Sequence, residues 1–319
     1  MIYSHGTAGA SHVCKGIPSQ DSRRIEINGN RCLAAVADGL GSKKYSREGS
    51  YLALNVAFNH CREELVPDLS SDEISAVLMK GFEGAVEALR DYSCIRGKDV
   101  LEFNTTLIML YYDGGSAYLF GVGDSGAVIL KKDGSFQIPL EQQHDAEGHV
   151  FPLLNEEGLG SADMWTFTVA DDVGGFLLTT DGILDSLLGP PIRWDMARFF
   201  MTGGDCAAWG WDDVSILDAY VDDHLQWRGD DRSIVAFVDQ KASVSMQEED
   251  YYTAAAEEIR RRNELLISGL KSVGRPSISE DPVSESMEGE DELALRIPEY
   301  EESIQQALHR RSQSPAEPL

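Results

Sequence analysis

Short apolar runs of five to eight residues recur through the first 240 residues of the chain, and many of them stop at Gly, Asp or Asn. Such runs are typical of β-strands. The predicted strands are 31–37, 105–112, 116–123, 125–132, 164–170, 176–180 and 233–239. Asp113-Gly114-Gly115 is expected to close a hairpin, and Gly123-Asp124-Ser125 and Lys132-Asp133-Gly134 to form turns. Consecutive strands joined by tight turns indicate an antiparallel meander.

Two longer segments between the first and second of these strands have apolar residues at the three- and four-residue spacing of a helix face. They predict helices over 47–65 and 72–92, the second of them capped by Ser70 or Ser71. A third helix is expected over 212–227, ahead of the last strand. The apolar faces of these helices are expected to pack in the core.

The composition changes after residue 240. Residues 246–272 have the pattern of an amphipathic helix, 273–292 are rich in Ser, Glu, Pro and Gly, and a short helix is expected over 299–311. We therefore expect a catalytic domain over 1–240 and, over 241–319, a C-terminal helix followed by an acidic, largely disordered tail. Two roles stay open for the tail, that of a regulatory or partner-binding arm and that of a solubilising extension.

The charge balance excludes some classes of partner. The 319 residues include 27 Lys and Arg against 54 Asp and Glu, a formal net charge of −27. Such a chain is not expected to bind nucleic acid or an anionic membrane through a basic face. The five cysteines form no CxxC pair, the N-terminus lacks the layout of a signal peptide, and no apolar run reaches the roughly 18 residues of a membrane span. These features predict a cytoplasmic protein.

Acidic residues border several predicted strands. Asp38 and Asp181 directly follow strands and are themselves followed by Gly, Asp230 and Asp231 precede the last strand, and Asp21 precedes the segment RIEI. In an antiparallel sheet such ends can converge on one edge, where the carboxylates repel each other unless a cation lies among them. Oxygen ligands without nearby His or Cys suit hard cations such as Mg²⁺ and Mn²⁺.

Taken in order, the segments around these residues resemble the motifs of the protein phosphatase 2C family of metal-dependent Ser/Thr phosphatases, particularly its bacterial branch. The matching segments are Gln20-Asp21, VADGLG (36–41), NTTLIML (104–110), LFGVGDSGAVIL (119–130), LLTTDGILDSL (177–187) and GDDRSIVAFV (229–238). The resemblance implies an α+β fold, a four-layer α-β-β-α sandwich of two antiparallel sheets flanked by helices. This layout agrees with the strands and helices that the apolar pattern predicts.

The resemblance also implies roles for individual residues. Asp38 would bridge two Mn²⁺ or Mg²⁺ ions, Gly39 would offer its carbonyl to one of them, and Asp181 and Asp230 would ligate the other. Asp21 would hold a metal-bound water. The implied reaction is hydrolysis of phosphoserine and phosphothreonine by direct attack of a metal-bridging hydroxide. The implied partners are phosphorylated proteins and a cognate Ser/Thr kinase of bacterial signalling, and the protein is expected to be a monomer.

The chain departs from the family pattern near the first two motifs. Gln20 replaces an acidic residue, Leu40 replaces a histidine that some members use as a general acid, and Ser42 replaces the last glycine of the Asp-Gly-x-Gly-Gly run. The family arginine that grips phosphate has no match, so Lys15 and His12 are the candidates for binding phosphate. Neither of them offers the bidentate fork of a guanidinium.

Other interpretations stay open at the level of sequence. Asp145 is the candidate for the acidic ligand of a third metal ion. The chain could instead be a catalytically weak or inactive pseudophosphatase that acts as a phosphoprotein-binding module, or a hydrolase of small phosphomonoesters. The complete set Asp38, Asp181 and Asp230 favours an active enzyme, because nothing else in the fold needs these charges. Asp231, next to Asp230, is the alternative ligand at that position.

Overall fold

A computed structural model of the chain describes residues 2–188, 196–197, 200–201, 217–218, 221–222 and 229–239. These residues belong to a compact unit that spans Met1–Leu265. The predicted helix over 212–227 lies mostly outside the described residues, and the predicted tail over 241–319 lies wholly outside them. No helix within the described ranges is both long enough and apolar enough to cross a membrane.

In the part of the chain that the structure describes, ten strands form two five-stranded sheets, and every pair of neighbouring strands is antiparallel. The strands are β1 (Ile2–Thr7), β2 (Ser22–Asn28), β3 (Arg31–Ala37), β4 (Leu107–Tyr112), β5 (Ala117–Val122), β6 (Gly126–Lys131), β7 (Phe136–Gln137), β8 (Thr166–Ala170), β9 (Val173–Thr179) and β10 (Arg232–Val238). The first sheet has the order β1-β10-β9-β6-β7 and the second has the order β2-β3-β4-β5-β8.

Within the described residues, four α-helices have defined bounds. They are α1 (Ala10–Val13), α2 (Ser46–Glu64), α3 (Ser71–Arg96) and α4 (Asp181–Leu188). Helix α3 begins with a capping box, in which the Ser70 side chain accepts from the Glu73 backbone and the Glu73 side chain accepts from the Ser70 backbone. It ends at Gly97, which adopts the left-handed conformation (φ 61°). The predicted helices over 47–65 and 72–92 are confirmed as α2 and α3.

The main core lies between the two sheets. Alternate side chains of both sheets point inward and form one cluster, to which Val36, Ile108 and Leu119 contribute from one sheet and Ile129 and Phe176 from the other. The opposite face of the first sheet is also apolar and packs against α4 and the described residues between 196 and 221. Because both faces of the central strands are buried, their sequences are continuous apolar runs. The predicted sandwich is confirmed.

The strand order differs from the predicted meander where consecutive strands change sheet, at the β5–β6, β7–β8 and β8–β9 connections. The hairpin at Asp113-Gly114-Gly115 joins β4 to β5 as expected, but Gly123-Asp124-Ser125 carries the chain from β5 in one sheet to β6 in the other. Gly123 adopts a φ of 112°, and a Cβ there would lie 2.5 Å from the Thr106 side chain, so the change of sheet depends on glycine. A tight turn in the sequence does not by itself show whether the strands before and after it pair with each other.

Strands β1, β2 and β7 and helices α1 and α4 are additional to the predicted elements. Strands β1 and β2 are edge strands, one in each sheet, and each carries only two apolar residues, too few for the apolar pattern to identify it. Helix α4 starts at Asp181, immediately after β9. These edge strands and α4 matter for function because they bring Asp21 and Asp181 to the same edge of the sandwich.

Candidate metal centre

Five carboxylates from distant parts of the chain meet at one edge of the sandwich. Asp38 directly follows β3, Asp21 precedes β2, and Asp124 lies in the turn between β5 and β6. Asp181 is the first residue of α4 after β9, and Asp230 lies two residues before β10. Both sheets therefore contribute to this group, which we call the carboxylate cluster.

The members of the carboxylate cluster repel one another. Asp21 and Asp181 are the members whose charges act most strongly on Asp38. Burial raises the pKa of Asp38 well above its usual range, and the charges of Asp21, Asp181, Asp124 and Asp230 raise it further. Burial, with Asp230 and Asp124 next in effect, raises the pKa of Asp181 to about 7. Such repulsion is expected where carboxylates are arranged to hold a cation.

Several oxygens at this edge are buried without a hydrogen-bond partner. They are Oδ1 of Asp21, Asp124 and Asp181, together with Oε1 of Gln20. An unpaired buried oxygen costs free energy, and it is uncommon in folded proteins. Unpaired carboxylate and amide oxygens are the ligands that Mg²⁺ and Mn²⁺ prefer. The residues present therefore fit divalent cations.

The backbone at Asp38 and Gly39 is fixed by the segment that leads into β4. The Asp38 carbonyl accepts hydrogen bonds from the Thr106 backbone N–H (2.8 Å) and from Thr105 Oγ1 (2.6 Å), and the Asp38 N–H donates to Thr106 Oγ1 (3.0 Å). A Cβ at Gly39 would lie 2.7 Å from the carbonyl oxygens of Gln20 and Ser46. Glycine is required there because backbone closes in from both sides. That the Gly39 carbonyl ligates a metal stays a prediction.

Asp21 and Asp181 are positioned through Thr180. The Thr180 hydroxyl donates to Asp21 Oδ2 (2.7 Å) and accepts from the Ser233 backbone N–H (3.0 Å). A Cβ at Gly182 would lie 1.9 Å from the Asp231 carbonyl oxygen, so the start of α4 packs directly on the turn before β10. Two motifs that are about 50 residues apart in sequence, TTDG and GDDRS, are thereby held against each other.

The structure distinguishes the two adjacent acids at 230 and 231. Asp230 is exposed, and its charge acts on Asp38, Asp124 and Asp181. Asp231 is 2% exposed, and its carboxylate already accepts three hydrogen bonds or ion-pair contacts. These come from Gly9 N (2.7 Å), Gln20 N (2.6 Å) and His12 Nδ1 (2.8 Å). Asp230 is thus the acid available to a metal ion. The carboxylate of Asp231 instead links Gly9, His12 and Gln20 to the turn before β10.

Replacing each of the two acids in turn by asparagine tests this distinction. Asp231→Asn is expected to lower the free energy of unfolding by about 3 kcal/mol, because hydrogen bonds to a buried charged group are lost. Asp230→Asn is expected to leave the free energy of unfolding unchanged and to weaken Mn²⁺ binding. Urea unfolding and calorimetric titration with Mn²⁺ measure the two effects. The opposite pattern would assign Asp231 to the metal.

The structure places the two predicted phosphate-binding residues on the segment around α1. His12 is committed to Asp231, with 12% of its side chain exposed. Lys15 is exposed in the turn that follows α1. The role of either residue in binding phosphate stays a prediction.

Asp145, the candidate for a third metal, lies in a turn of its own. Its Oδ1 accepts from the backbone N–H groups of Glu147 (2.9 Å) and His149 (2.8 Å), and the hydrogen bond from the His149 backbone lowers the pKa of Asp145. Asp145, Glu147 and His149 could together hold a cation, but Glu147 and His149 are exposed. The electrostatic contacts of the carboxylate cluster involve Asp124 and do not include Asp145. The better candidate for a further metal ligand is therefore Asp124.

Asp124 and Arg23 are the site residues that the sequence did not single out. Asp124 is 9% exposed, burial raises its pKa, and His144 lies 3.6 Å from its Oδ2. The available signal was the match of GVGDS to the family motif, but Gly-Asp-Ser also predicts an ordinary turn. The guanidinium of Arg23 lies beside β1. Burial lowers its pKa, and the negative charge of Asp21 acts in the opposite direction. A Cβ at Gly6 would lie 2.5 Å from Arg23 Nη1, so glycine makes room for it.

Comparisons with known proteins agree with this geometry. The family model described as "Protein phosphatase 2C" matches residues 8–207, which is more than half of the chain. A curated relative, serine/threonine-protein phosphatase 3 of Escherichia coli (strain K12), is 25% identical over 198 residues, which cover 57% of this chain and 73% of the relative.

Solved structures show the same fold. The serine/threonine phosphatase Stp1 of Staphylococcus aureus superposes with a TM-score of 0.56 at 13% identity, covering 75% of this chain and 94% of that one. PppA of Pseudomonas aeruginosa superposes with a TM-score of 0.51 at 18% identity, covering 75% and 97%. The family match confirms the predicted enzyme class and the dependence on Mn²⁺ or Mg²⁺ that belongs to it. The chain belongs to the protein phosphatase 2C family and is a phosphoprotein phosphatase.

Proposed function

We propose that this protein hydrolyses phosphoserine and phosphothreonine in other proteins, with two Mn²⁺ or Mg²⁺ ions held at the carboxylate cluster. The observation that carries the proposal is the convergence of five carboxylates, three of them with a buried, unpaired oxygen. An arrangement that costs stability in the absence of a cation is expected where the cation is part of the function.

The ions would be held by Asp38, the Gly39 carbonyl, Asp181 and Asp230. When bound, they would neutralise the phosphate and lower the pKa of a shared water so that hydroxide attacks phosphorus directly. Asp21 is fixed by the Thr180 hydroxyl at 2.7 Å and would orient the attacking water. The four cysteines that the structure describes are unpaired, and burial raises the pKa of the Cys61 thiol to about 12. Direct attack needs no cysteine nucleophile.

The alternative of an inactive binding module is not favoured. Asp231 shows how this fold uses a carboxylate for structure alone, because its oxygens are occupied by backbone and side-chain donors. The members of the carboxylate cluster have few such donors and repel each other. A chain that had lost its activity would gain stability by replacing Asp38 or Asp181, whose charged forms are disfavoured by burial and by their neighbours.

A direct assay tests the proposal. After treatment with EDTA, the protein is expected to release phosphate from a phosphothreonine peptide and from a small aryl phosphate only when Mn²⁺ or Mg²⁺ is added. Asp145→Asn is the matched control, since it removes a carboxylate outside the carboxylate cluster, and it is expected to retain the full rate. Folded protein that binds the phosphopeptide without turnover in either metal would favour the binding module.

Some finer points stay predictions. They are the cognate Ser/Thr kinase, the monomeric state and the cytoplasmic location. Removing residues 245–319 and measuring the same rates would test whether the C-terminal part contributes to turnover.

A further inference from the structure

Two apolar side chains are exposed on the segment that precedes Asp21. Val13 is 64% exposed and Ile17 is 37% exposed, and Cys14 and Pro18 between and beside them are exposed as well. Val13 ends α1, and Ile17 lies in the turn that follows, where its N–H donates to the His12 carbonyl (2.9 Å). We call residues 9–20 the α1 segment. Single exposed apolar residues are common, but this pair lies close together on one short segment.

A single carboxylate, that of Asp231, binds both ends of the α1 segment. Asp231 accepts from the backbone N–H of Gly9 at one end (2.7 Å) and from that of Gln20 at the other (2.6 Å). His12, between them, is 2.8 Å from the same carboxylate. The backbone that displays Val13 and Ile17 is therefore fixed before any partner arrives. A surface that is ordered in advance loses less conformational entropy on binding than a flexible one.

The α1 segment also lies directly beside a proposed metal ligand. The Ser11 N–H donates to the Gly229 carbonyl (3.2 Å), and a Cβ at Gly9 would lie 2.3 Å from the carbonyl carbon and oxygen of Asp230. At its other end the segment runs into Asp21 of the carboxylate cluster. The segment that carries the exposed apolar pair therefore contacts the backbone of Asp230 and leads directly into Asp21.

We propose that Val13 and Ile17 form a docking surface for apolar residues that flank the phosphorylated residue of a polypeptide substrate. This inference rests on the proposed function and names the class of substrate. A small phosphate ester would occupy only the carboxylate cluster, whereas a polypeptide extends on both sides of its phosphate and reaches the α1 segment. The net charge of −27 disfavours an acidic polypeptide away from the metal ions, so contacts that do not depend on charge would add affinity there. Burying apolar side chains supplies such affinity.

The test uses the double variant Val13→Ser with Ile17→Ser in the full chain, loaded with Mn²⁺. Its substrates are a phosphothreonine peptide with Leu or Val on both sides, the same peptide with Gly and Ser there, and an aryl phosphate. For the apolar peptide KM is expected to rise by about tenfold, which is the effect of losing roughly 1.4 kcal/mol of binding free energy. The kinetics of the aryl phosphate and of the Gly and Ser peptide are expected to stay the same.

Ile95→Ser is the matched control, because Ile95 is 74% exposed on α3. It is expected to change none of the three KM values. An equal loss on all three substrates would overturn the inference, since it would show that the double variant disturbs Asp230 or Asp21. Equal KM values for wild type and double variant would overturn it as well. A double variant that changes the sedimentation of the protein without changing any KM would assign the surface to a second copy of the chain.

The inference and the proposed function can fail separately. If the wild type hydrolyses none of the substrates, the proposed function fails, and binding of the intact apolar phosphopeptide is then measured by calorimetry. Weaker binding to the double variant but not to Ile95→Ser would still support the docking surface. Equal binding to all three proteins would reject it.

Discussion

Asp38→Asn is expected to lower phosphatase turnover by on the order of 10³-fold or more while the protein stays folded. Asp38 lies in the carboxylate cluster, where the charges of the other four members all act on it. Asparagine keeps the shape of the side chain and one acceptor oxygen but removes the charge that a divalent cation needs. The rate at saturating Mn²⁺, with calorimetric titration of Mn²⁺ in parallel, measures the effect.

If Asp38 served only to stabilise the fold, replacing it would lower the unfolding temperature. The opposite is expected of a metal ligand in this cluster. Burial and repulsion disfavour the charged form of Asp38, so the metal-free Asp38→Asn variant is expected to unfold at the same temperature as wild type or at a higher one near pH 8. Asp181→Asn is the second variant of the test. Like Asp38→Asn, it is expected to lose turnover without a fall in its unfolding temperature. Turnover within tenfold of wild type in both variants would show that the metal site is misplaced.

The stability of the metal-free protein is expected to fall as the pH rises from about 4 to about 7. The ordinary pKa of an Asp is 3.8, and burial with repulsion from Asp230 and Asp124 raises that of Asp181 to about 7 in the folded chain. Between these values the folded state binds more protons than the unfolded state, so raising the pH favours unfolding. Asp21 and Asp38 have pKa values shifted in the same direction. The loss for Asp181 alone is on the order of a few kcal/mol.

Thermal unfolding in EDTA across this pH range measures the fall. Added Mn²⁺ is expected to abolish most of it, because a ligand that binds only the folded state stabilises that state, by about 4 kcal/mol at a thousandfold excess over Kd. Asp181→Asn is expected to flatten the profile in EDTA, whereas Asp145→Asn is not. A metal-free stability that is constant or rises from pH 5 to pH 8 would contradict the repulsion described for the carboxylate cluster.

Local patterns in the sequence predicted most of the central fold. Seven of the strands and both long helices follow from apolar spacing. Side chains that face the core recur every two residues in a strand and every three to four residues in a helix. The edge strands β1 and β2 were not predicted, since each carries only two apolar residues. The turn at Gly123-Asp124-Ser125 was identified, but its passage from one sheet to the other was not.

The sequence by itself determined which acids stand at strand ends and, through the order of their motifs, the family to which the chain belongs. Only the tertiary structure decided which of them act together. Asp230 faces the carboxylate cluster while its neighbour Asp231 closes the α1 segment, and Asp124 rather than Asp145 lies near the other acids. Neighbouring residues in a turn point in different directions, and the acids that converge come from strands in two sheets. Which charges meet is therefore fixed by strand pairing and sheet packing, which no local pattern records.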